Sequence, residues 1–553
     1  MSREQKLSKK IAHTLLAMSI VYSGGMNVLC NTAWATPVDG TPGTDGAAIV
    51  QNDDISAGVN VTYTADNGTD GGNASGGGRG GDGGNGGSVT VNDTVTGTIS
   101  GAIAITATGG DGALGGKGYT GAGSYDPDEG PHGDRGAGGD SKVAVAVTGS
   151  GITTVNNITV TAKAGSGSTA YVYQKDQSEG ANGGKGGSAE AIGLQSSVSN
   201  TLVTITAADV TISAEGGKAS QTNSTYGNGG VGGMGGAAEA YGLKAATNLF
   251  DLARNDINVT AVGGAGGVGG AGGNSGNIGN GNAAGAGGKA AAWGIEAVNS
   301  SIGGTVNSIS AAATGGAGNW GGSGSADGQV GISSAGADGM VYAVSSDHGT
   351  VDLTVTTAIT AAATGGAGGG GAYGATADSR KGVGSDGGAG STGGAAVAYG
   401  LRLTAADNAS VTAASLASTA AGGAGGNGSN GGGPGRDNVG DKAGDGGNGG
   451  NGGNATAYAA YADGSRLQLT TGSITVTATA GSGGIAGVGA TETRPYSGSP
   501  LVNATVGVDG TAGTAGTAKA YGIYATGSTV ELKHSTPGST VTINATATGT
   551  DSE

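Results

Sequence analysis

Apolar and polar residues alternate in short segments that recur along the chain. They read Ile-Thr-Val-Thr-Ala at 158–162, Val-Thr-Ile-Ser-Ala at 210–214 and Ile-Asn-Val-Thr-Ala at 257–261. A period of two with β-branched residues is typical of strands that have one buried face, and frequent Gly disfavours helix. The same pattern predicts further strands at 103–107, 309–313, 359–363, 474–478 and 541–545.

A second motif alternates with the first, for example Ala-Glu-Ala-Tyr-Gly-Leu at 238–243 and Ala-Val-Ala-Tyr-Gly-Leu at 396–401. Repeats that each hold short strands indicate a solenoid, in which every unit buries its apolar face against its neighbours. We therefore predict an all-β fold, a right-handed parallel β-helix or solenoid with long glycine-rich excursions between rungs. The residue before the glycine position of the second motif, which is alanine in the looser copies at 342 and 458, marks each unit: Ile192, Tyr241, Trp293, Tyr342, Tyr399, Tyr458 and Tyr521.

Glycine-rich excursions separate the predicted strand pairs, and 129 of the 553 residues are glycine. Several excursions hold two glycines in every three residues, as in 263–274. Flexible surface loops are one interpretation, because glycine loses the most backbone entropy on ordering. Left-handed extended helices with three residues per turn, stacked side by side with the third residue outward, are the other. The excursions run approximately over 109–140, 165–187, 216–236, 263–288, 315–339, 365–394, 422–453 and 481–517.

The first 35 residues have the pattern of a secretory signal. Basic residues precede a mostly apolar segment at 11–29, and Ala33-Trp34-Ala35 fits an A-x-A cleavage site. Cleavage after Ala35 removes Cys30, the single cysteine, so no disulfide framework is expected. We predict four segments: a signal peptide at 1–35, an N-terminal glycine-rich or capping region at 36–87, solenoid repeats at 88–549 and a tail at 550–553.

Charge and composition exclude several functions. The net charge of −16 disfavours nucleic acid as a partner, and no later apolar run is long enough for a membrane-spanning helix. His13, His132, His348 and His534 lack metal-ligand spacing, and neither a nucleophile elbow nor a P-loop is present. We predict no enzyme activity, no catalytic or metal-binding residues and no cofactor.

Two groups of residues deserve a specific interpretation. Asp126, Asp128, Glu129 and Asp134 form the densest acidic cluster, but their spacing does not match a calcium loop. A solvated acidic loop is the favoured interpretation. Trp293 and Trp320 are isolated in sequence, and we expect Trp293, at the aromatic position of a repeat, to pack in the core rather than to stack on a ligand.

The strand repeats with glycine-rich insertions, the acidic charge and the signal together resemble the passenger region of Gram-negative autotransporter adhesins, over about 88–549. The resemblance implies a β-helical stalk at the cell surface or in the medium. It implies host or neighbouring-cell glycans or proteins as partners, and a translocation β-barrel in the outer membrane. That barrel has no counterpart here, because the sequence stops at Glu553 directly after a repeat strand; it is expected in cis on a longer chain or in trans.

Three functions remain open. A secreted or surface-displayed adhesin or structural stalk is the first. A polysaccharide-degrading β-helix enzyme is the second, and a carboxylate cluster on adjacent rungs would favour it. A glycine-helix surface or antifreeze-like protein is the third, and bundled excursions with a flat Thr or Asn face would favour ice or glycan binding.

Overall fold

The computed structural model describes 38–55, 59–75, 79–95, 97, 99, 101–117, 133–148, 156–168, 181–196, 202–206, 209–220, 228–246, 249–253, 256–272, 280–325, 328–376, 384–434, 442–491 and 505–550. These residues belong to one compact unit, Pro37–Glu553. Several sequence predictions lie outside the described residues: the signal at 1–35 with Cys30, Ala33 and Ala35, the histidines at 13 and 132, and Asp126, Asp128 and Glu129.

The described chain is all-β and forms a parallel β-solenoid with glycine-rich excursions, as the repeats predict. Strands of neighbouring rungs pair in parallel throughout the described chain. Each repeat therefore adds one rung to the stack. The strands of the first sheet are β1 (Ile49–Gln51), β2 (Asp54–Ile55), β4 (Val89–Val95), β6 (Ser141–Val147), β8 (Ala189–Ser196), β11 (Ala238–Ala246), β14 (Ala290–Val298), β17 (Gly339–Asp347), β19 (Ala396–Thr404), β21 (Ala455–Asp463) and β23 (Ala518–Thr526).

The second sheet holds the alternating Ile-x-Val-x-Ala segments. Its later strands are long. The first of them, at 350–364, pairs with two short strands of the preceding rung, at 301–306 and 308–314. Its strands are β3 (Val59–Thr64), β5 (Ile103–Thr108), β7 (Ile158–Lys163), β9 (Leu202–Thr206), β10 (Val210–Glu215), β12 (Leu249–Ala253), β13 (Asp256–Val262), β15 (Ser301–Val306), β16 (Ser308–Thr314), β18 (Thr350–Thr364), β20 (Asn408–Ala421), β22 (Arg466–Thr479), β24 (Thr529–Lys533) and β25 (Thr542–Thr548).

The predicted repeat markers are register partners in successive rungs. Tyr241 pairs with Ile192 on one side and with Trp293 on the other, and the series continues in register to Tyr521. One predicted alignment is wrong: Ile474 pairs with Ile543 rather than with Val541. A shift of two residues keeps the same face buried, so the alternation by itself did not distinguish the two registers.

Six described strands of the second sheet were not among the segments predicted from the sequence: β3, β9, β12, β15, β20 and β24. Val59 of β3 pairs with Ile103, and Leu416 of β20 pairs with Ile359. The segment assigned to an N-terminal glycine-rich or capping region therefore contributes strands to both sheets, through β1, β2 and β3.

A narrow core fills the space between the two sheets. Ile257, Val259 and Ala261 of β13 are buried, and so are Ala240 and Leu243 of β11. The sheets approach so closely that a Cβ on Gly242 would lie 3.0 Å from the side chains of both Ile257 and Val259. A small residue is therefore required at the position of Gly242, and such close approach explains how a chain poor in large apolar side chains builds a continuous core.

The glycine-rich excursions are ordered where the structure describes them, which decides between the two interpretations left open. Each leaves the second sheet as an outgoing segment and comes back to the first sheet as a returning segment. Gly266 N–H donates to Ala317 in the next outgoing segment (2.9 Å), and Gly267 N–H donates to Gly233 in the preceding returning segment (2.8 Å). Bonds between segments with a period of three identify polyproline-II-type helices. We call them glycine helices, and they form a two-layered bundle beside the sheets.

Glycine is needed in these helices because the neighbouring backbones occupy the space of a side chain. A Cβ on Gly484 would lie 1.9 Å from the carbonyl oxygen of Gly426. The third residue of each triplet points outward, as expected: Ile485 is 67% exposed. The outermost helices at 39–47 and 509–517 have only one glycine per triplet. Each is bonded to one helix of its own layer and to one of the other layer, so one of its sides is left without a neighbouring helix among the described residues.

A column of left-handed residues forms the corner after each later strand of the first sheet. Asn299, His348 and Ala405 have φ of 48°, 54° and 47°, and Gly464 and Gly527 follow with 58° and 57°. Successive corners are hydrogen-bonded, as in His348 N–H to Thr404 O (3.1 Å). The left-handed conformation favours glycine, and the Ala405 side chain has no polar group that could stabilise it.

Replacing Gly484 with Ala tests the bundle. The new methyl group must displace the Gly426 backbone, so we expect the free energy of unfolding to fall by about 1–3 kcal/mol. The matched variant Ile485→Ala changes only an outward side chain, and its effect should stay within about 0.5 kcal/mol. Hydrogen–deuterium exchange of 422–434 and thermal unfolding provide the measurements. Equal effects of the two variants would contradict the close packing.

Ala405→Gly tests the corner column. The left-handed conformation is strained for alanine and unstrained for glycine, so we expect this variant to be more stable than the parent by about 1 kcal/mol. Ala406→Gly, at a buried neighbour, is the control and should destabilise. Thermal unfolding of both variants decides the matter, and a lower melting temperature for Ala405→Gly would contradict the assignment.

Candidate functional site

Aromatic rings form a continuous stack on the outer face of the first sheet. Tyr241 and Trp293 have ring centroids 4.3 Å apart at an interplanar angle of 6°, and Tyr399 and Tyr458 are 4.8 Å apart at 4°. We call this stack the aromatic ladder; its members are Tyr241, Trp293, Tyr342, Tyr399, Tyr458 and Tyr521. Offset or parallel stacking of this kind contributes about 0.5–1.5 kcal/mol per pair beyond burial.

Trp293 packs against a hydrophobic cluster, as expected, but this cluster is separate from the main core. It contacts a small separate cluster with Ile192 and Tyr241, and it is not part of the core between the sheets. The cause lies at the glycine position of the motif: Ala240, Gly242 and Leu243 all face inward, so Tyr241 and its counterparts fall on the opposite face. Trp293 is therefore flanked by rings of the rungs above and below, although it is isolated in the sequence.

Charged residues border the aromatic ladder. Lys142 pairs with Glu190 at 2.7 Å, and Lys244 lies 3.6 Å from Glu296 and 4.0 Å from the centre of the Tyr241 ring. The Tyr241 hydroxyl donates a hydrogen bond to Oε2 of Glu239 (3.2 Å). Burial, followed by the nearby carboxylates, raises the pKa of Tyr241 far above the usual range of a phenol.

The aromatic ladder serves mainly to join rungs. Because its rings are stacked nearly parallel, each ring covers the faces of its neighbours and presents only its edge and hydroxyl outward. A second, shorter stack of Tyr461 and Tyr524 meets it edge-on. A ligand that needs the face of an aromatic ring finds none between these rungs.

Asp and Asn side chains form a second system, on the surface of the glycine-helix bundle. Where the preceding rung has Asp or Asn at the equivalent position, its side-chain oxygen accepts the N–H of the outward residue of a triplet. Asp82 accepts from Asp134 (2.8 Å), Asp134 from Asn182 (2.9 Å), and Asn182 from Val231 (3.0 Å). The signal that could have revealed this system is the recurrence of Asp or Asn at the third triplet position in consecutive repeats.

The same bonds explain much of the acidic charge. Asp445 Oδ1 accepts the N–H of Val508 at 2.8 Å, and this bond, with that from Lys442, lowers the pKa of the Asp445 carboxyl. Asp134 is thus a member of an ordered series, which corrects its interpretation as part of a solvated loop. Charge-assisted bonds to N–H groups are stronger than neutral ones.

Two carboxylates and a guanidinium lie on adjacent rungs, in the side chains of Asp82, Asp134 and Arg79. A carboxylate cluster on adjacent rungs is the arrangement that would favour a polysaccharide-degrading enzyme. Arg79 lies 2.9 Å from Asp82 and 3.2 Å from Asp134. The Oδ1 atom of each carboxylate also binds a backbone N–H, so these groups hold neighbouring helices together. Within the described ranges, no three His, Cys, Asp or Glu residues are placed to hold a metal ion.

The remaining sequence candidates lie apart. His348 is at a rung corner with Nδ1 2.7 Å from Asp347 Oδ1, and His534 Nδ1 accepts the N–H of Thr536 (2.8 Å) near the last rung. Trp320 is on an outward position of a glycine helix and contacts Tyr373 (6.2 Å between centroids).

A pH titration tests the burial of the aromatic ladder. Burial, followed by the neighbouring tyrosines, raises the pKa of Tyr399 to about 12 from 10.0. A phenol with a raised pKa stabilises the fold below pH 10, and this contribution is lost as the pH rises to about 12. We expect the unfolding midpoint to fall over that range and to fall less in Tyr399→Phe, which keeps the ring. Identical pH profiles for both proteins would contradict this; tyrosinate absorbance follows the ionisation.

Searches of family models, curated proteins and solved structures yielded no match to this chain. Among the residues described, no helix is long and apolar enough to span a bilayer.

Proposed function

We propose that this chain is a secreted or surface-displayed repeat protein that acts as an adhesin or structural stalk, of the autotransporter passenger type. One observation carries the proposal: ten strands of each sheet follow one another in unbroken parallel order. Each rung adds about 4.8 Å, so the chain displays the same columns of side chains at regular spacing. Such a surface suits repeated weak contacts with an extended partner.

The absence of cysteine after residue 30 and the hydrogen-bonded bundle support the same proposal. A stack held by main-chain bonds and burial needs no disulfide, and its acidic surface disfavours self-association through charge. Host or neighbouring-cell glycans or proteins are the proposed partners, at the bacterial surface or in the medium.

The glycine-helix protein is the second candidate, and a specific observation favours it. The last returning helices present Asn448 and Asn451 beside Thr511 and Thr514, which are exposed. The threonine hydroxyls donate to the asparagine oxygens at 3.0 and 3.1 Å. An ordered array of this type is suited to ice or to a glycan.

Export and adhesion can be tested on the full chain. In a Gram-negative host we expect export with cleavage after Ala35, so that the mass of the product corresponds to a start at Thr36. Ala33→Arg and Ala35→Arg should block cleavage, while Ala47→Arg is a control outside the signal. Retention of unprocessed wild-type chain in the cytoplasm would contradict the proposal.

The adhesive role is tested with beads that carry the exported chain. We expect them to bind cells or isolated surface polysaccharide, and heat-unfolded chain on matched beads should not. Inhibition of ice recrystallisation without any binding to cells or glycans would instead favour the second candidate.

A further inference from the structure

Four outgoing glycine helices at 315–325, 365–376, 422–434 and 480–491 lie side by side. Hydrogen bonds of 2.8 Å fix their register, from Gly318 N–H to Ala367 O, from Gly371 N–H to Asn427 O and from Gly428 N–H to Ile485 O. Their outward residues therefore form two adjacent rows. These rows are Trp320, Gly370, Asn427 and Ile485, and Ser323, Tyr373, Asn430 and Val488.

Two aromatic rings lie in these rows, on adjacent helices. Trp320 is 48% exposed and Tyr373 is 59% exposed, and their ring centroids are 6.2 Å apart at 52°. Gly370, next in the Trp320 row, leaves space for the indole: a Cβ on Gly370 would lie 3.3 Å from Cε2 and 3.5 Å from Nε1 of Trp320. The indole is thus supported by the bundle on one side and open to solvent on the other, unlike the mutually covered rings of the aromatic ladder.

Two oriented amides follow the rings. Asn427 Oδ1 accepts the N–H of Ile485 at 3.1 Å, and Asn430 Oδ1 accepts that of Val488 at 2.9 Å. These bonds determine which side-chain atom is oxygen, because only an acceptor can face an N–H group. The Nδ2 group of each amide is then directed away from that bond and can donate to an external acceptor.

The chemistry of this patch matches a sugar ring. The apolar C–H face of a pyranose packs on an exposed aromatic ring, and its hydroxyl oxygens accept hydrogen bonds from amides. A few placed polar groups beside an apolar surface are the general features of a specific ligand site. The two rows contain no charged residue, and the chain has a net charge of −16, so an anionic polymer would be repelled.

We propose that Trp320, Tyr373, Asn427 and Asn430 form a binding platform for an uncharged polysaccharide, with a pyranose ring on Trp320 and hydroxyl groups at the two amides. The platform rests on the proposed adhesive function and names its ligand class. It is separate from the aromatic ladder, which lies on the first sheet.

Affinity electrophoresis of the exported chain tests the platform against soluble xyloglucan, galactomannan and β-1,3-glucan, with polygalacturonate as the anionic comparison. We expect at least one neutral polymer to retard the wild type and polygalacturonate not to. Trp320→Ala should weaken that binding by at least about tenfold, since exposed tryptophans at binding surfaces contribute strongly. Asn427→Asp keeps the acceptor oxygen and removes the donor, and should also weaken binding.

Two further variants separate the platform from the fold. Gly370→Val fills the space beneath the indole at a row position where Ile485 is accommodated, and should weaken binding without a change in thermal stability. Trp293→Tyr introduces into the aromatic ladder the residue that its other members have. This variant should bind the neutral polymer as the wild type does.

Three outcomes would overturn the proposal: no retardation by any neutral polymer, unchanged binding by Trp320→Ala, or a concentration-dependent dimer lost in Trp320→Ala with no polymer binding. The last would assign the patch to self-association. Processing after Ala35 and cell binding by beads are independent readouts, so failure of the platform is distinguishable from failure of the adhesin proposal.

Discussion

The main-chain hydrogen bond between neighbouring rungs is the constraint on which the structure depends. In the sheets it places equivalent side chains of successive repeats in register, and in the bundle it requires glycine. A Cβ on Gly484 would lie 1.9 Å from a neighbouring carbonyl oxygen, so the bundle exists only because two positions per triplet lack side chains. The entropy lost by ordering so much glycine is offset by bonds that each helix makes in two directions.

The same stacking determines where chemistry is available. Residues at equivalent positions are brought into columns, so one aromatic residue from each of six repeats becomes the aromatic ladder, and Asp or Asn residues at outward positions become a series of backbone acceptors. In both systems the functional groups contact neighbouring rungs. Groups that can bind an external ligand therefore occur where a column is interrupted. At Gly370 the column lacks a side chain, and the Trp320 indole of the adjacent rung lies beside that position.

The adhesive proposal and the platform are consistent with this distribution. The carboxylates that a hydrolytic enzyme would use, such as Asp82 and Asp134, bind backbone N–H groups and an arginine. Outward residues of the glycine helices that make no such bond have no neighbour on their outer side, so they can vary from rung to rung without loss of the fold. Binding specificity can then change through single outward positions while the backbone remains the same.

The sequence by itself determined the strands of the recurring motifs, their parallel stacking and the register of the markers from Ile192 to Tyr521, because alternation and repeat length act locally and recur. Only the tertiary structure decided that the glycine segments are ordered, since their bonds join residues of different repeats. It also placed Trp293 on the outer face, because Gly242 and Leu243 both turn inward in this motif, and it paired Ile474 with Ile543 rather than Val541. The juxtaposition of Trp320, Tyr373 and the two asparagines follows from inter-rung register, which no single repeat contains.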